Sequence, residues 1–340
     1  MNSDKNNLTI YTLANGLKVL LKEIHTAPVI SHWIWFRVGS RNETAGATGL
    51  SHWVEHMLFK GTQQFPPGEL DKEISRDGGY WNAMTYIDWT TFYQTLPSHK
   101  IELPFQVESD RMVNCVFDPQ EVEHERTVII SERQGDENEP LFRLGESVQK
   151  AAFQNHPYRI QVIGEMDDLH SISRDQLFNH YRTRYQPSNA VLAIAGDFNT
   201  DEVRRLVDRY YLPIPSRPAP FPAVSPGEST IAGLKKVEIT GQAEMIFMQI
   251  VYRAPAANQK DFFAISVLDS LLAGAASLNM FGGGGLSNKT SRLYQALVEK
   301  DLAVSVSAGL QATIDPFLYE ILLVLHPDQD PQKALEAVDA

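Results

Sequence analysis

Hydrophobic and polar positions follow the pattern of paired strands at the start of the chain. Residues 8–13 and 17–22 flank Asn15-Gly16, and this dipeptide between two β-prone runs is a strong signal for a hairpin turn. Residues 29–38 are rich in β-branched and aromatic side chains and predict a further strand. The chain is therefore expected to open with β-structure.

The spacing then changes to a helical period. Residues 50–60 place several apolar side chains on one broad face: Leu50, Trp53, Val54, Met57 and Leu58. Asp118-Pro119 supplies an N-cap and a first-position proline, which predict a helix to about Gln134. Residues 174–185 predict another helix, and residues 190–195 predict a buried strand.

A proline-rich segment interrupts this pattern. Residues 212–226 hold six prolines in fifteen positions, too many for a helix or a central strand. Beyond it the pattern predicts strands at 235–240 and 244–253 and helices at 261–273 and 291–300. The expected organisation is a first domain of residues 1–211, a linker of 212–228, and a second domain of 229–340 that is cut short.

Composition narrows the classes of function. The 340 residues carry a net charge of −12 and no basic block, which argues against a nucleic-acid partner. No run approaches the roughly 20 apolar residues that a membrane span needs, so no membrane segment is expected. The single cysteine, Cys115, allows no intrachain disulfide and is interpreted as a small core residue. A cytoplasmic location is expected, or a periplasmic one if a leader was removed.

The chemistry centres on His52-Trp-Val-Glu55-His56. On a helix these two imidazoles and the carboxylate share one face. Two neutral imidazoles at this spacing can hold Zn²⁺ at roughly 2.0–2.1 Å, with a water completing an open site. Zinc lowers the pKa of that water towards about 7, and a nearby carboxylate can take its proton. The order is that of the inverted zinc-peptidase motif.

The motif alone leaves two alternatives open: a zinc site, or an exposed helix face that carries these residue types by chance. Two candidates for a third ligand, Glu125 and Glu132, lie seven residues apart and so share one face of the second helix. That segment can also be a solvated acidic helix. The other eight histidines have no partner pattern and are expected to be structural.

Two longer stretches resemble the pitrilysin/insulinase family of zinc peptidases. They are His52-Trp-Val-Glu-His-Met-Leu-Phe-Lys-Gly-Thr62 and Glu125-Arg-Thr-Val-Ile-Ile-Ser-Glu132. The likeness extends to residues 78–85, 156–158, 162–164, 189–197 and 282–293, and is greatest for small bacterial members and mitochondrial processing peptidase subunits. It implies an α+β fold of two homologous domains, each a mainly antiparallel β-sheet with helices packed on one face.

The resemblance also implies roles for individual residues. Glu132, 76 residues after His56, matches the third ligand, so that His52, His56 and Glu132 would bind one Zn²⁺ per chain. Glu55 matches the general base, and Glu125 a second acidic catalytic-site residue that orients a ligand or the water. Asn82-Ala83 match an edge strand that binds extended substrate. The glycine-rich residues 281–285 match a loop that contacts substrate, although a plain linker is an equal alternative.

The chain departs from the family in its second domain. Active members carry an Arg and a Tyr there, which bind the substrate carbonyl and stabilise the oxyanion. Val298 and Val304 stand at those positions, and the stretch is one residue shorter than usual. The expected partner is therefore a homologous second subunit that lacks the zinc motif, forming a heterodimer with this chain.

The predicted function is zinc-dependent endopeptidase cleavage of short, extended or unfolded peptides, with Glu55 acting on a zinc-bound water. The alternative is a non-catalytic subunit that binds or scaffolds in a processing-peptidase-like complex. Such subunits usually lose the His/Glu motif, which is intact here.

Overall fold

The computed structural model describes residues 8–216, 233–274 and 288–340. These residues fall into two compact units: the described parts of Met1–Arg133 and Ile160–Ser225, and those of Gln134–Arg159 and Pro226–Ala340. Residues 134–159, which a division at the linker assigns to the first domain, thus cluster with the second unit. Residues 217–228 of the linker lie outside the described residues, so the division at 212–228 stays a prediction.

The first unit contains a six-stranded sheet. Its strands are β1 (Leu8–Thr12), β2 (Lys18–Glu23), β3 (Val29–Phe36), β4 (Tyr80–Thr85), β5 (Thr90–Pro97) and β6 (Ala190–Gly196), in the order β1-β2-β6-β3-β5-β4. Only β2 and β6 pair in parallel. The predicted hairpin is confirmed: β1 and β2 are antiparallel, and Gly16 adopts the positive φ of 91° that the turn requires. The mainly antiparallel character is confirmed as well.

Ten α-helices lie within the described ranges. They are α1 (Leu50–Phe59), α2 (Glu69–Arg76), α3 (Glu102–Asn114), α4 (Pro119–Asn138), α5 (Pro140–Ala152), α6 (Met166–Ser171), α7 (Arg174–Arg184), α8 (Thr200–Tyr210), α9 (Lys260–Ala273) and α10 (Pro331–Asp339). Alternate residues of β3 are buried, and α1 packs against β4 and β5 while α8 packs against β2. The α+β fold class is confirmed. None of these helices is long and apolar enough to cross a membrane.

The second unit has a three-stranded antiparallel sheet. Its strands β7 (Ile246–Ala254), β8 (Ser305–Leu310) and β9 (Phe317–Leu325) lie in the order β7-β9-β8. Leu297, Leu323 and Leu325 are fully buried in its core. Helix α9 packs against β8, and α5 packs against β7.

One prediction about this unit is wrong, and another is confirmed only in part. Residues 235–240 form no strand, because Val237 and Ile239 are exposed and no neighbouring strand pairs with them among the described residues. The predicted helix at 291–300 is confirmed over residues 292–298 only, and its Tyr294–Val298 part forms a wide helical turn in which Glu299 N donates to Tyr294 O over five residues. The glycine-rich residues 281–285 lie outside the described residues.

Candidate metal centre

Helix α1 is anchored at its start by a carboxylate from outside the helix. Gly49 precedes the helix with φ 86°, and a Cβ at this position would lie 2.5 Å from Ile163 O. Glycine has no side chain to cap the helix, so Glu43 does so by accepting hydrogen bonds from Gly49 N and Ser51 N, both at 2.7 Å. Burial raises the pKa of Glu43 to about 7, although these hydrogen bonds favour its ionised form.

The two sides of α1 have different environments. Trp53, Val54 and Met57 are buried in the core of the first unit. The side chains of His52 and His56 remain 14% and 22% exposed, and their ring centroids are 4.7 Å apart. The helical spacing therefore turns the two imidazoles towards the same accessible side.

Helix α4 brings Glu132 to these imidazoles. His52 Nε2 lies 3.9 Å from Glu132 Oε1, and His56 Nε2 lies 3.7 Å from Glu132 Oε2. One ligand atom from each of the three residues lies within 4.8 Å of the others. The structure thus brings together the three residues that the sequence predicts as zinc ligands.

These donors fit a zinc ion. Metal–ligand bonds of roughly 2.0–2.1 Å place tetrahedral ligands about 3.3 Å apart. The three ligand atoms lie within 4.8 Å of one another, so a pair of them would have to approach by at most about 1.5 Å to close around the ion. Burial, followed by the charge of His56, lowers the pKa of His52 to about 3, so its imidazole is in the neutral form that binds metal. The pKa of His56 is raised, because its hydrogen bond to Glu125 and the nearby carboxylates outweigh the effect of burial. The carboxylates around His56 therefore favour a positive charge at this imidazole.

Glu125 stands behind His56 on the side away from Glu132. Its Oε2 is 3.0 Å from His56 Nδ1, and its Oε1 is 2.5 Å from Lys60 Nζ. Burial acts to raise the pKa of Glu125, but the bonds to His56 and Lys60 lower it overall. A carboxylate in this position fixes the imidazole with Nε2 free to bind metal.

Glu55 is not one of the three clustered ligands and is hydrogen-bonded instead to β4. Its Oε2 accepts a hydrogen bond of 2.6 Å from Thr85 Oγ1. Burial raises the pKa of Glu55, and the Thr85 bond only partly opposes this shift. A carboxylate with a raised pKa is a suitable proton acceptor near neutral pH.

Asn82 and Ala83 lie on β4, which is the last strand of the six-stranded sheet. The edge of β4 away from β5 has no partner strand among the described residues. Asn82 is exposed, and its Oδ1 accepts a hydrogen bond from Ala83 N. The two predicted substrate-binding residues are therefore at an accessible sheet edge.

In the second unit, Val298 and Val304 offer no polar group to a substrate. Val298 is half-buried against the core of that unit, and Val304 is 52% exposed. The backbone N–H of Val304 is already used, since it donates to Val324 O at 2.8 Å. These positions therefore have no side-chain donor for an oxyanion.

Sequence reasoning missed three residues that shape the metal centre: Glu43, Lys60 and Thr85. Lys60 and Thr85 stand inside stretches that resemble the family, but their contacts join separate elements and follow no local spacing. Glu43 caps α1 from seven residues before its first residue, which no capping-box pattern describes.

Comparison with protein families gives two adjacent matches. The model described as "Insulinase (Peptidase family M16)" matches residues 18–165, and that described as "Peptidase M16 inactive domain" matches residues 171–340. The two matches together span most of the chain.

Curated relatives agree with these matches. The chain is 32% identical over 310 residues to an uncharacterized zinc protease of Mycobacterium leprae, covering 89% of this chain and 66% of that protein. It is 28% identical to a probable mitochondrial-processing peptidase subunit beta of Arabidopsis thaliana, covering 94% and 60%. It is 29% identical to the zinc protease PqqE of Helicobacter pylori, covering 85% and 63%. The chain thus spans 60 to 66% of the length of these relatives.

Among solved structures, a protease from Helicobacter pylori is similar over 98% of this chain and 78% of that chain. The TM-score is 0.88 and the sequence identity 26%.

Proposed function

The chain belongs to the insulinase family of peptidases (family M16), and on this premise we propose that it is a zinc-dependent endopeptidase. The observation that carries the proposal is the convergence of His52, His56 and Glu132 beside Glu55. Similarity to proteins named zinc proteases supports the choice of metal. His52, His56 and Glu132 would hold one zinc ion per chain.

The chain's own residues supply proton transfer and alignment. When bound, zinc would polarise the scissile carbonyl and acidify the attacking water. Glu55 takes the proton of that water and passes it to the leaving amine, and its raised pKa suits both steps. Glu125 keeps the His56 ring aligned through Nδ1.

We propose short, extended or unfolded peptides as substrates. The edge of β4 away from β5 offers backbone groups to which an extended chain can pair as an added strand. Asn82 and Ala83 would contact that strand. A folded protein presents few such free strands, so the preference would be for unfolded segments.

We propose that a second, homologous subunit completes the site with an arginine and a tyrosine. Valines at 298 and 304 support this, as does similarity to a protein named as a processing-peptidase beta subunit. Mixing this chain with a homologue that carries the pair should raise kcat/KM by about 10²-fold or more, the usual effect of an oxyanion donor. Full activity of this chain alone, as monomer or homodimer, would contradict the need for a partner.

Zinc content and peptide hydrolysis test the central proposal. Elemental analysis should find about one zinc ion per chain, and a quenched fluorescent peptide should be cleaved. His52→Ala and Glu132→Ala should lose both zinc and activity. His124→Ala is the matched control, because this histidine is on α4 but its side chain is 73% exposed and outside the cluster. It should keep both.

The same measurements separate the peptidase from a non-catalytic subunit. A wild-type chain without zinc or hydrolysis, even with its partner, would favour a binding or scaffolding role.

The proposed compartment is the cytoplasm, on the basis of the single cysteine, and cell fractionation tests it.

A further inference from the structure

Lys60 joins the end of α1 to the face of α4 that supports the metal centre. It follows the last residue of α1, and its Nζ lies 2.5 Å from Glu125 Oε1 and 3.7 Å from Glu121 Oε2. The Lys60 side chain is 31% exposed, whereas that of Glu125 is 7% exposed. The ion pair is therefore shielded on its carboxylate side, where screening by water is weak.

The two oxygens of Glu125 have different partners. Oε1 accepts from Lys60 and Oε2 contacts His56 Nδ1 at 3.0 Å. With both oxygens engaged, the carboxylate cannot turn about its terminal bond without losing one contact. The ammonium group thus fixes the plane of the carboxylate, and the carboxylate fixes the imidazole.

We propose that Lys60 is a positioning residue for the zinc site, acting through Glu125 to orient His56 towards the metal. This inference rests on the proposed function, since it concerns the affinity of the site for zinc. It assigns to Lys60 a role that neither the motif nor its spacing predicts.

A purely electrostatic role predicts the opposite sign. Lys60 is a cation near a cation site, so removing its charge would strengthen zinc binding by relieving repulsion. Removing a positioning contact would weaken binding, because His56 would lose its fixed orientation. The direction of the change in zinc affinity therefore decides between the two roles.

The test measures zinc dissociation constants by chelator competition on the full chain. Mutating a residue that bonds directly to a metal ligand typically lowers metal affinity by roughly 10- to 100-fold. Lys60 contacts Glu125 and not a metal ligand, so a smaller loss is expected. Lys60→Met should weaken zinc binding about 5- to 20-fold, and Lys60→Gln should do the same. Lys60→Arg, which keeps a charged donor, should recover most of the loss. Lys72→Met is the matched control, since Lys72 pairs with Glu69 on the exposed side of α2 and should leave affinity unchanged.

A double-mutant cycle shows whether the effect passes through Glu125. In a Glu125→Gln background, Lys60→Met should have little further effect on zinc affinity. An unchanged or tighter affinity in Lys60→Met, or an equal loss in both backgrounds, would overturn the inference while leaving the zinc peptidase intact. Absence of zinc binding by the wild-type chain would instead refute the proposed function and this inference with it.

Discussion

Helix α1 and the turn at Tyr294–Val298 are both short helical segments that pack beside a sheet, one in each unit. Helix α1 presents two imidazoles and a carboxylate on its accessible side. The turn instead buries Leu297 and leaves Val298 half-buried against its core. One segment combines packing with polar chemistry, and the other is devoted to packing.

The difference has an energetic side. Burying polar groups costs free energy unless each finds a partner. Two groups of the first unit are buried at such a cost. Burial raises the pKa of Glu55. The buried Nδ1 of His52 has no hydrogen-bond partner in the part of the chain that the structure describes. Such costs are typical of sites that bind ions and transfer protons. The turn at Tyr294–Val298 has no comparable group.

The largest expected effect is on the chemistry of the first unit. Glu55→Gln should lower kcat/KM by about 10²- to 10⁴-fold, because the amide cannot accept the proton of the attacking water. Zinc content should stay at the wild-type value, since Glu55 is not among the three clustered ligands. Peptide hydrolysis and elemental analysis measure the two quantities on the same sample.

Glu202→Gln is a suitable control for this change, because Glu202 is exposed on α8 and contributes no group to the metal centre. It should retain full activity. If Glu55→Gln kept more than about a tenth of wild-type activity, Glu55 would not be the base.

The sequence predicts the polar residues of α1 well and predicts their contacts with other elements poorly. The spacing of His52, Glu55 and His56 is local, so the helical period alone places them together. Glu132 could be chosen over Glu125 only through family resemblance, because both occur on one helix face. Lys60 and Thr85 could not be assigned, since their roles depend on how α4 and β4 pack against α1.

In the fold too, locally specified features could be predicted and features that depend on tertiary contacts could not. The hairpin of β1 and β2 could be predicted because Asn15-Gly16 specifies its turn locally. Residues 235–240 have strand-like alternation, but a strand also needs a neighbour, and the sequence does not say whether one is available. The turn at Tyr294–Val298 has helix-forming residues, yet Glu299 N bonds to Tyr294 O over five residues, and intrinsic helix propensity does not predict this wider spacing.

The packing role of the second region can be tested at Leu297, which is fully buried. Leu297→Ala should lower the free energy of unfolding of the second unit by about 2–5 kcal/mol, through lost burial and a cavity. Hydrogen exchange of β9 measures this change. All five tryptophans lie between residues 33 and 89, so fluorescence reports on the first unit and should show an unchanged transition.

Val304→Ala provides the control for Leu297→Ala. Val304 is 52% exposed, so this change should alter stability by less than about 0.5 kcal/mol. If Leu297→Ala also lost zinc, the second region would contribute to the metal centre. The contrast between the two regions would then not hold.

The anchoring of α1 predicts a pH dependence. The pKa of Glu43 is raised from 4.5 to about 7, so the stability that it contributes is complete below about pH 4.5 and is lost as pH rises through 7. The difference between the two pKa values corresponds to a loss of about 3 kcal/mol in the free energy of unfolding by pH 8. Glu43→Gln removes this titration but also loses one acceptor for the α1 N–H groups, at about 1–3 kcal/mol.

The stability advantage of wild type over Glu43→Gln should therefore be greatest at and below about pH 4.5 and shrink towards pH 8. Thermal unfolding of both proteins at matched pH and zinc concentration measures it. An advantage that grows with pH would mean that the helix N-terminus keeps Glu43 ionised throughout.

The smallest expected effect concerns Thr85, which links β4 to the base on α1. Thr85→Val removes the 2.6 Å hydrogen bond to Glu55 Oε2, so the pKa of Glu55 should rise further and its orientation should loosen. We expect kcat/KM to fall about 3- to 10-fold, in line with one lost hydrogen bond to a charged group, and the acidic limb of the pH profile to move to higher pH. Thr91→Val is the matched control, because Thr91 is buried on β5 and donates to Ile34 O instead. That variant should lose stability without moving the profile, so an equal shift in both would show that Thr85 acts on the sheet and not on Glu55.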